Sequence, residues 1–280
     1  MRLVDWIDDP RAVTLAVAIL IATALWVTTW SLMGQMDMGA MGMGEMGTSG
    51  MSMGEMQMDG MEMGMWGMSM DPADWSLRTI YETSLMWLLM MAAMMLPAMA
   101  PVMAIYTSLA AKEDRGGRLV LRILLFTLGY FSLWFAFSIG MALVQLGLRG
   151  SDYFVMGGTQ ATPIAAAALM IVAGAYQLSS IKDACLRHCR HPLTYLLSHW
   201  REGVGGAFSV GANHGVYCVG CCGLFMGLMF VFGAMNVWWM AVIALYFLAE
   251  KIAPQAERWG QWTGYALIVG GAGWAVYHII

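Results

Sequence analysis

Seven apolar runs, separated by polar or charged turns, account for most of the sequence. A helix needs about 20 apolar residues to cross the hydrocarbon core of a bilayer. The chain has 60% hydrophobic and only 11% charged residues, so the pattern predicts an all-α, polytopic transmembrane bundle of about seven spans. The sixth run is short, and the fifth and sixth together could instead form a re-entrant hairpin. The predicted helices cover residues 13–33, 80–111, 119–148, 161–181, 206–232, 237–249 and 259–280.

Basic residues are concentrated in alternate turns of the chain. The turns after the second, fourth and sixth runs are rich in lysine and arginine, and the other turns carry few. Basic loops stay in the cytoplasm, so we predict a cytoplasmic N-terminus, with residues 1–33 as a retained anchor helix in the bacterial inner membrane. The net charge of −4 and the absence of a basic block indicate membrane lipid, and not nucleic acid, as the surrounding partner.

Residues 34–70 have a composition that packing does not explain. They include 14 methionines and 10 glycines, with no lysine or arginine. Glycine disfavours regular structure, and thioethers are soft ligands that select Cu(I). We therefore expect residues 34–75 to form a disordered external loop that binds copper, although a low-complexity linker has the same appearance. A ten-residue repeat in this segment supplies the candidate ligands Met41, Met43, Met51, Met53, Met61 and Met63.

Methionines also follow one another along the second predicted helix. Met86, Met90 and Met94 are four residues apart, and Met91, Met95, Met99 and Met103 form a second series. Residues at this spacing share a helix face. The series predicts either a path for Cu(I), with Met90 and Met94 as ligands, or ordinary core packing by a flexible side chain.

The fifth predicted helix carries the most specific group of candidate ligands, His214, Cys218, Cys221 and Cys222. Their offsets of 0, 4, 7 and 8 place one imidazole and three thiols on one helix face. This donor set suits Cu(I), with zinc as the alternative ion. An ionisable residue in an apolar span favours a functional role, whereas buried cysteines can also serve as small hydrophobic residues.

A second sulfur pair, Cys185 and Cys189, lies in a basic segment on the predicted cytoplasmic side, near His188 and His191. Two thiols four residues apart in a reducing compartment indicate a metal or redox pair more readily than a disulfide. A cytoplasmic relay for Cu(I) and plain helix-end packing both fit. Glu250 and Lys251 are interpreted as an interfacial ion pair without a chemical role, with gating as a weaker alternative.

Three motifs give the chain a family resemblance: MMAAMMLPAMAPVM from Met90, YQLSSIKDACLRHCRHP from Tyr176, and GANHGVYCVGCCGLFM from Gly211, which continues to EKIAP. Over residues 84–280 the chain resembles the predicted metal-binding integral membrane proteins of bacteria and archaea, a domain of unknown function. The resemblance implies that residues 76–280 form a transmembrane metal-binding domain. It also implies a metal site at His214, Cys218, Cys221 and Cys222, with Cys185 and Cys189 as further candidates.

The function that these patterns favour is Cu(I) acquisition, transfer or storage. A periplasmic copper chaperone or a larger membrane complex is the expected partner, and no enzymatic activity is expected. A different class of function is an accessory or assembly subunit of a copper oxidase, respiratory or photosynthetic complex, with a structural metal site. A membrane thiol oxidoreductase using Cys218 and Cys221 is less favoured, because no soluble redox fold surrounds the pair.

Overall fold

In the computed structural model, the described part of the chain comprises residues 10–44, 75–148, 151–155, 160–233, 236–253 and 255–279. It is almost entirely helical, which confirms the predicted all-α class. A two-stranded antiparallel hairpin, β1 (Phe154–Val155) and β2 (Gln160–Ala161), precedes the fourth helix. The helices are α1 (Pro10–Gly44), α2 (Leu77–Ala110), α3 (Gly117–Gly147), α4 (Pro163–Gln177), α5 (Ser180–Arg190), α6 (Pro192–Ser198), α7 (Gly203–Met226), α8 (Met229–Phe232), α9 (Val237–Ile252) and α10 (Ala256–Ile279).

Several of these helices have the length and apolarity that a membrane span requires. Among the described residues there are four such segments: Arg11–Ser31 in α1, all of α2, all of α3, and Gly203–Phe232. The α4–α5 pair makes a fifth if the two helices count as one span, bent by 64°. Helix α9 has 16 residues, fewer than the roughly 20 that a span needs. Seven spans, and the orientation of the chain, therefore stay predictions.

Two helix boundaries differ from those expected. Helix α1 continues to Gly44, although disorder was predicted from residue 34. The extension is favoured because methionine and alanine are good helix formers, and because extending an existing helix is easier than nucleating one. The predicted helix 161–181 is interrupted, because α4 ends at Gln177 and Ser179 caps α5 by accepting a hydrogen bond from the Lys182 amide at 3.2 Å. A serine that satisfies the first amides of a new helix favours a restart at that point.

The centre of the bundle contains α2 and α7. In the most apolar stretch of α2, about two thirds of the residues are buried, and in that of α7 just over half are buried. The corresponding shares are 28% for α3 and 17% for α1. The α2 methionines Met90, Met91, Met94, Met95 and Met99 are all in the hydrophobic core. Pro97 and Pro101 interrupt the hydrogen bonding of this buried helix, which a membrane helix tolerates inside protein.

Glycines bring α3 and α7 into direct backbone contact. A Cβ atom on Gly211 would lie 2.0 Å from the Phe126 carbonyl oxygen, and one on Gly129 would lie 2.2 Å from that of Phe208. Small residues permit such close approach between membrane helices. The contact fixes the position of α7, which carries four of the six candidate cysteine and histidine ligands.

We expect Gly211→Ala to destabilise the protein by about 1–3 kcal/mol, because α3 and α7 must separate to admit the new methyl group. The matched control is Gly140→Ala on α3, where an added Cβ meets nothing within 4 Å. Unfolding of the two variants in detergent would show the difference. Equal stability of the two would contradict the close backbone contact.

Candidate metal site

Three cysteine thiols from two helices converge in the interior of the bundle. Cys218 and Cys221 come from α7, and Cys189 comes from α5; their sulfur atoms all lie within 4.8 Å of one another. The sulfurs of Cys189 and Cys221 are 3.9 Å apart. All three side chains are buried, and Cys218 is fully inaccessible. We call this group the trithiol centre.

The approach of α5 to α7 depends on a glycine in the cysteine-rich turn. A Cβ on Gly220 would lie 2.8 Å from the Cys185 sulfur, so a larger residue would push α5 away. The Tyr176 hydroxyl donates a hydrogen bond to the Gly220 carbonyl, which ties α4 to the same turn. Cys185 is half-buried and packs beside the trithiol centre without belonging to it.

A cation and a phenol contact the Cys218 sulfur directly. The Lys251 ammonium, near the end of α9, donates to this sulfur at 3.2 Å, and the Tyr130 hydroxyl on α3 lies 3.1 Å from it. Hydrogen bonds from an ammonium and a hydroxyl stabilise a thiolate over a thiol. Cys218 is therefore the sulfur of the trithiol centre that these two polar groups contact.

The interpretation of Glu250 and Lys251 as an interfacial ion pair is wrong. Glu250 is buried and pairs with Lys182 of α5, at 2.5 Å between Nζ and Oε1, while Gln177 and Tyr246 donate to the same oxygen at 2.8 and 3.0 Å. Consecutive helix residues point about 100° apart, and here the two side chains have different partners. Glu250 contacts α4 and α5, and Lys251 points to the trithiol centre.

Cys222 follows Cys218 by one turn of α7, and its sulfur faces α2. Its thiol donates to the Cys218 carbonyl at 2.8 Å, and its sulfur is 3.8 Å from the Met95 sulfur. The group of sulfurs within 4.8 Å of one another does not include Cys222, although the helix spacing grouped it with Cys218 and Cys221. It connects the second methionine series of α2 to α7 through a sulfur–sulfur contact.

His214 is buried one turn before Cys218. Its ring lies between those of Tyr130 and Tyr195, at centroid distances of 5.8 and 5.2 Å. Its Nδ1 has no hydrogen-bond partner in the part of the chain that the structure describes. The structure places His214 near the trithiol centre but not in the group of atoms that could share one ion.

The remaining candidate ligands are separate from the trithiol centre. Met90 and Met94 are buried in α2. The structure describes the backbone of Met41 and Met43 as the end of α1, but not their side chains, whereas Met51, Met53, Met61 and Met63 lie outside the described residues.

The sequence matches the family described as PpoB2, copper chaperone, over residues 84–274. The chain belongs to this PpoB2 copper chaperone family. No curated protein and no solved structure matches it. The range matched by the PpoB2 family contains the whole trithiol centre, together with Tyr130 and Lys251, and excludes the methionine-rich residues 34–70.

The spacing of the sulfurs suits the ion that the PpoB2 family name implies. A metal–thiolate bond of about 2.3 Å places the three sulfurs of a planar site about 4.0 Å apart, close to the 3.9 Å between Cys189 and Cys221. Thiolates are soft donors, the class that binds Cu(I) and zinc. The trithiol centre can thus accept one such ion after small side-chain movements.

Tyr130 and Lys251 were not predicted as site residues. A lysine beside a glutamate in a strongly apolar helix is the sequence signal that could have identified Lys251, because an ionisable group in such a helix is functional by default. Tyr130 gives no comparable signal. Its role follows from the packing of α3 on α7, which tyrosine alone does not reveal.

Proposed function

We propose that this protein carries Cu(I) as cargo at the trithiol centre and acts in copper acquisition, transfer or storage at the bacterial inner membrane. The observation that supports the proposal is the convergence of three buried thiols in a chain of a copper chaperone family. The protein holds and passes the ion and does not act as an enzyme.

The donor set favours Cu(I) over zinc. Structural zinc sites close with four protein ligands, and catalytic ones keep a water in the fourth position. In the described part of the chain, three His, Cys, Asp or Glu donors share this group of atoms, and all three are buried from water. Soft sulfur ligands with low coordination suit a monovalent d¹⁰ ion better than Zn²⁺.

The methionines of α2 supply a route to the trithiol centre in this proposal. The buried Met95 contacts Cys222, which is bonded to the Cys218 carbonyl, so thioether and thiol sulfurs continue from α2 to α7. Met90 and Met94 offer further buried thioethers on α2. At the start of the route, the methionines of residues 34–70 capture Cu(I) weakly and reversibly from a periplasmic copper chaperone, because many weak ligands are held at high local concentration.

Purified protein from copper-replete cells should contain copper in an all-sulfur environment. We expect X-ray absorption to show short copper–sulfur bonds, since three thiolates complete the shell. A variant lacking residues 34–70 should keep this buried copper and lose uptake only at low external copper. The comparison separates capture outside the membrane from tight binding inside it.

Three results would contradict the proposal. They are nitrogen- or oxygen-only coordination, zinc in place of copper after copper-replete growth, or no bound metal. A deletion variant that loses its buried copper would place the tight site in residues 34–70 and not at the trithiol centre.

A further inference from the structure

The Lys251 ammonium is a positive charge placed directly against a metal ligand. Its Nζ lies 3.2 Å from the Cys218 sulfur. Lys251 is half-buried, and an anionic metal–thiolate complex would supply the counter-charge that a lysine withdrawn from water requires. The inference drawn from this contact rests on the proposed function, because it concerns the choice of ion at the same site.

Charge counting shows what a fixed positive charge does at this position. Three thiolates with a monovalent ion have a net charge of −2, and the same thiolates with a divalent ion have a net charge of −1. A neighbouring ammonium therefore stabilises the monovalent complex more strongly. The protonation state of the metal-free site cancels from this comparison, because both ions bind to the same metal-free protein.

We propose that Lys251 is a specificity-determining residue that makes the trithiol centre prefer a monovalent soft ion over a divalent one. Cu(I) and Zn(II) have the same d¹⁰ electron count and differ in charge, as do Ag(I) and Cd(II). Lys251 discriminates within each pair through the repulsion between its ammonium and the additional positive charge of the divalent ion.

The buried Lys182 in the described helices does not share this role. Its side chain is only 1% exposed, but its charge is offset by the Glu250 carboxylate at 2.5 Å. The Tyr130 hydroxyl, which lies 3.1 Å from the Cys218 sulfur, is uncharged, so it does not distinguish monovalent from divalent ions by charge. Lys251 thus carries the unbalanced positive charge beside Cys218.

The test measures affinities of the full-length protein in detergent for Cu(I) and Zn(II), each against a competing chelator without oxygen. In Lys251→Gln the ratio of Cu(I) to Zn(II) affinity should fall at least about tenfold, since one unit of charge interaction is lost. The ratio of Ag(I) to Cd(II) affinity should also fall in this variant. Lys251→Arg keeps the charge and should stay within about threefold of the wild-type ratio.

A purely structural role for Lys251 would lower both affinities together and leave their ratio unchanged, which would overturn the proposal. Lys251→Leu is a second neutral variant and should reproduce the result of Lys251→Gln. Lys112→Gln, on an exposed turn, should leave the affinity ratio unchanged. Wild-type protein that binds no Cu(I) would instead refute the proposed function. If the wild type binds Cu(I) but the neutral variants keep its ratio of Cu(I) to Zn(II) affinity, only the proposed role of Lys251 is refuted.

Discussion

Serine in place of Cys189, Cys218 and Cys221 together is expected to abolish tight Cu(I) binding. Each single replacement should lower the Cu(I) affinity by at least about 100-fold, because losing a partner that only orients a ligand already costs roughly 10–100-fold. Serine is close in size to cysteine, but its hydroxyl is a hard and weakly acidic donor that does not replace a thiolate toward Cu(I). Cys218→Ser should have the largest single effect, since it also removes the partner of Lys251.

Cys185→Ser is the matched control for this prediction. Cys185 lies one helical turn before Cys189 on α5 but outside the trithiol centre, so its replacement should leave the affinity unchanged. The copper content of purified protein and chelator competition would provide the measurement. Equal copper in the wild type and the triple variant would exclude the trithiol centre as the site.

The part of the site that the sequence could predict is the part contained in one helix. Cys218 and Cys221 are three residues apart, and helix geometry alone places them on one face. The burial of the α2 methionines was also among the expected outcomes, because apolar side chains four residues apart form a stripe along a helix that packs against other helices. Both inferences use only the period of the α-helix, which requires no knowledge of tertiary contacts.

The ligand from α5 could not be predicted in the same way. Both Cys185 and Cys189 lie against α7, and which of them joins the trithiol centre depends on the 64° bend between α4 and α5. This bend follows from a serine cap within an apolar run. Cys222 shows the opposite error, because it lies on the predicted helix but outside the trithiol centre. Its side chain is rotated by about 100° from that of Cys221, and its thiol faces Met95. Packing between helices decides both cases, and helix period alone does not contain that information.

A second large effect is expected from the buried ion pair of Lys182 and Glu250, which joins α5 to α9. Both side chains are almost fully buried, at 1% and 3% exposure. Glu250→Ala should destabilise the protein by about 3–5 kcal/mol, because it leaves the Lys182 ammonium in the interior without its counter-charge. Gln177 and Tyr246 would lose their acceptor in the same variant. Unfolding in detergent by denaturant would measure the loss.

A surface ion pair gives the control for this experiment. Arg78 is 72% exposed in its pair with Glu82, so Arg78→Gln should change stability by no more than about 1 kcal/mol. The double variant Lys182→Met with Glu250→Ala should recover much of the stability lost by Glu250→Ala, since no uncompensated charge remains. If the double variant is no more stable than Glu250→Ala, then packing volume, and not charge, explains the loss.

The same pair of variants also tests whether the ion pair sets the geometry of the metal site. Helix α5 carries Cys189 and α9 carries Lys251, so the Lys182–Glu250 bond holds a ligand and the proposed specificity residue in one arrangement. If the bond acts in this way, the double variant should regain stability but keep a Cu(I) affinity below that of the wild type. Full recovery of both properties would show that α5 and α9 are positioned by their apolar contacts alone, because methionine in place of Lys182 restores packing without restoring the bond.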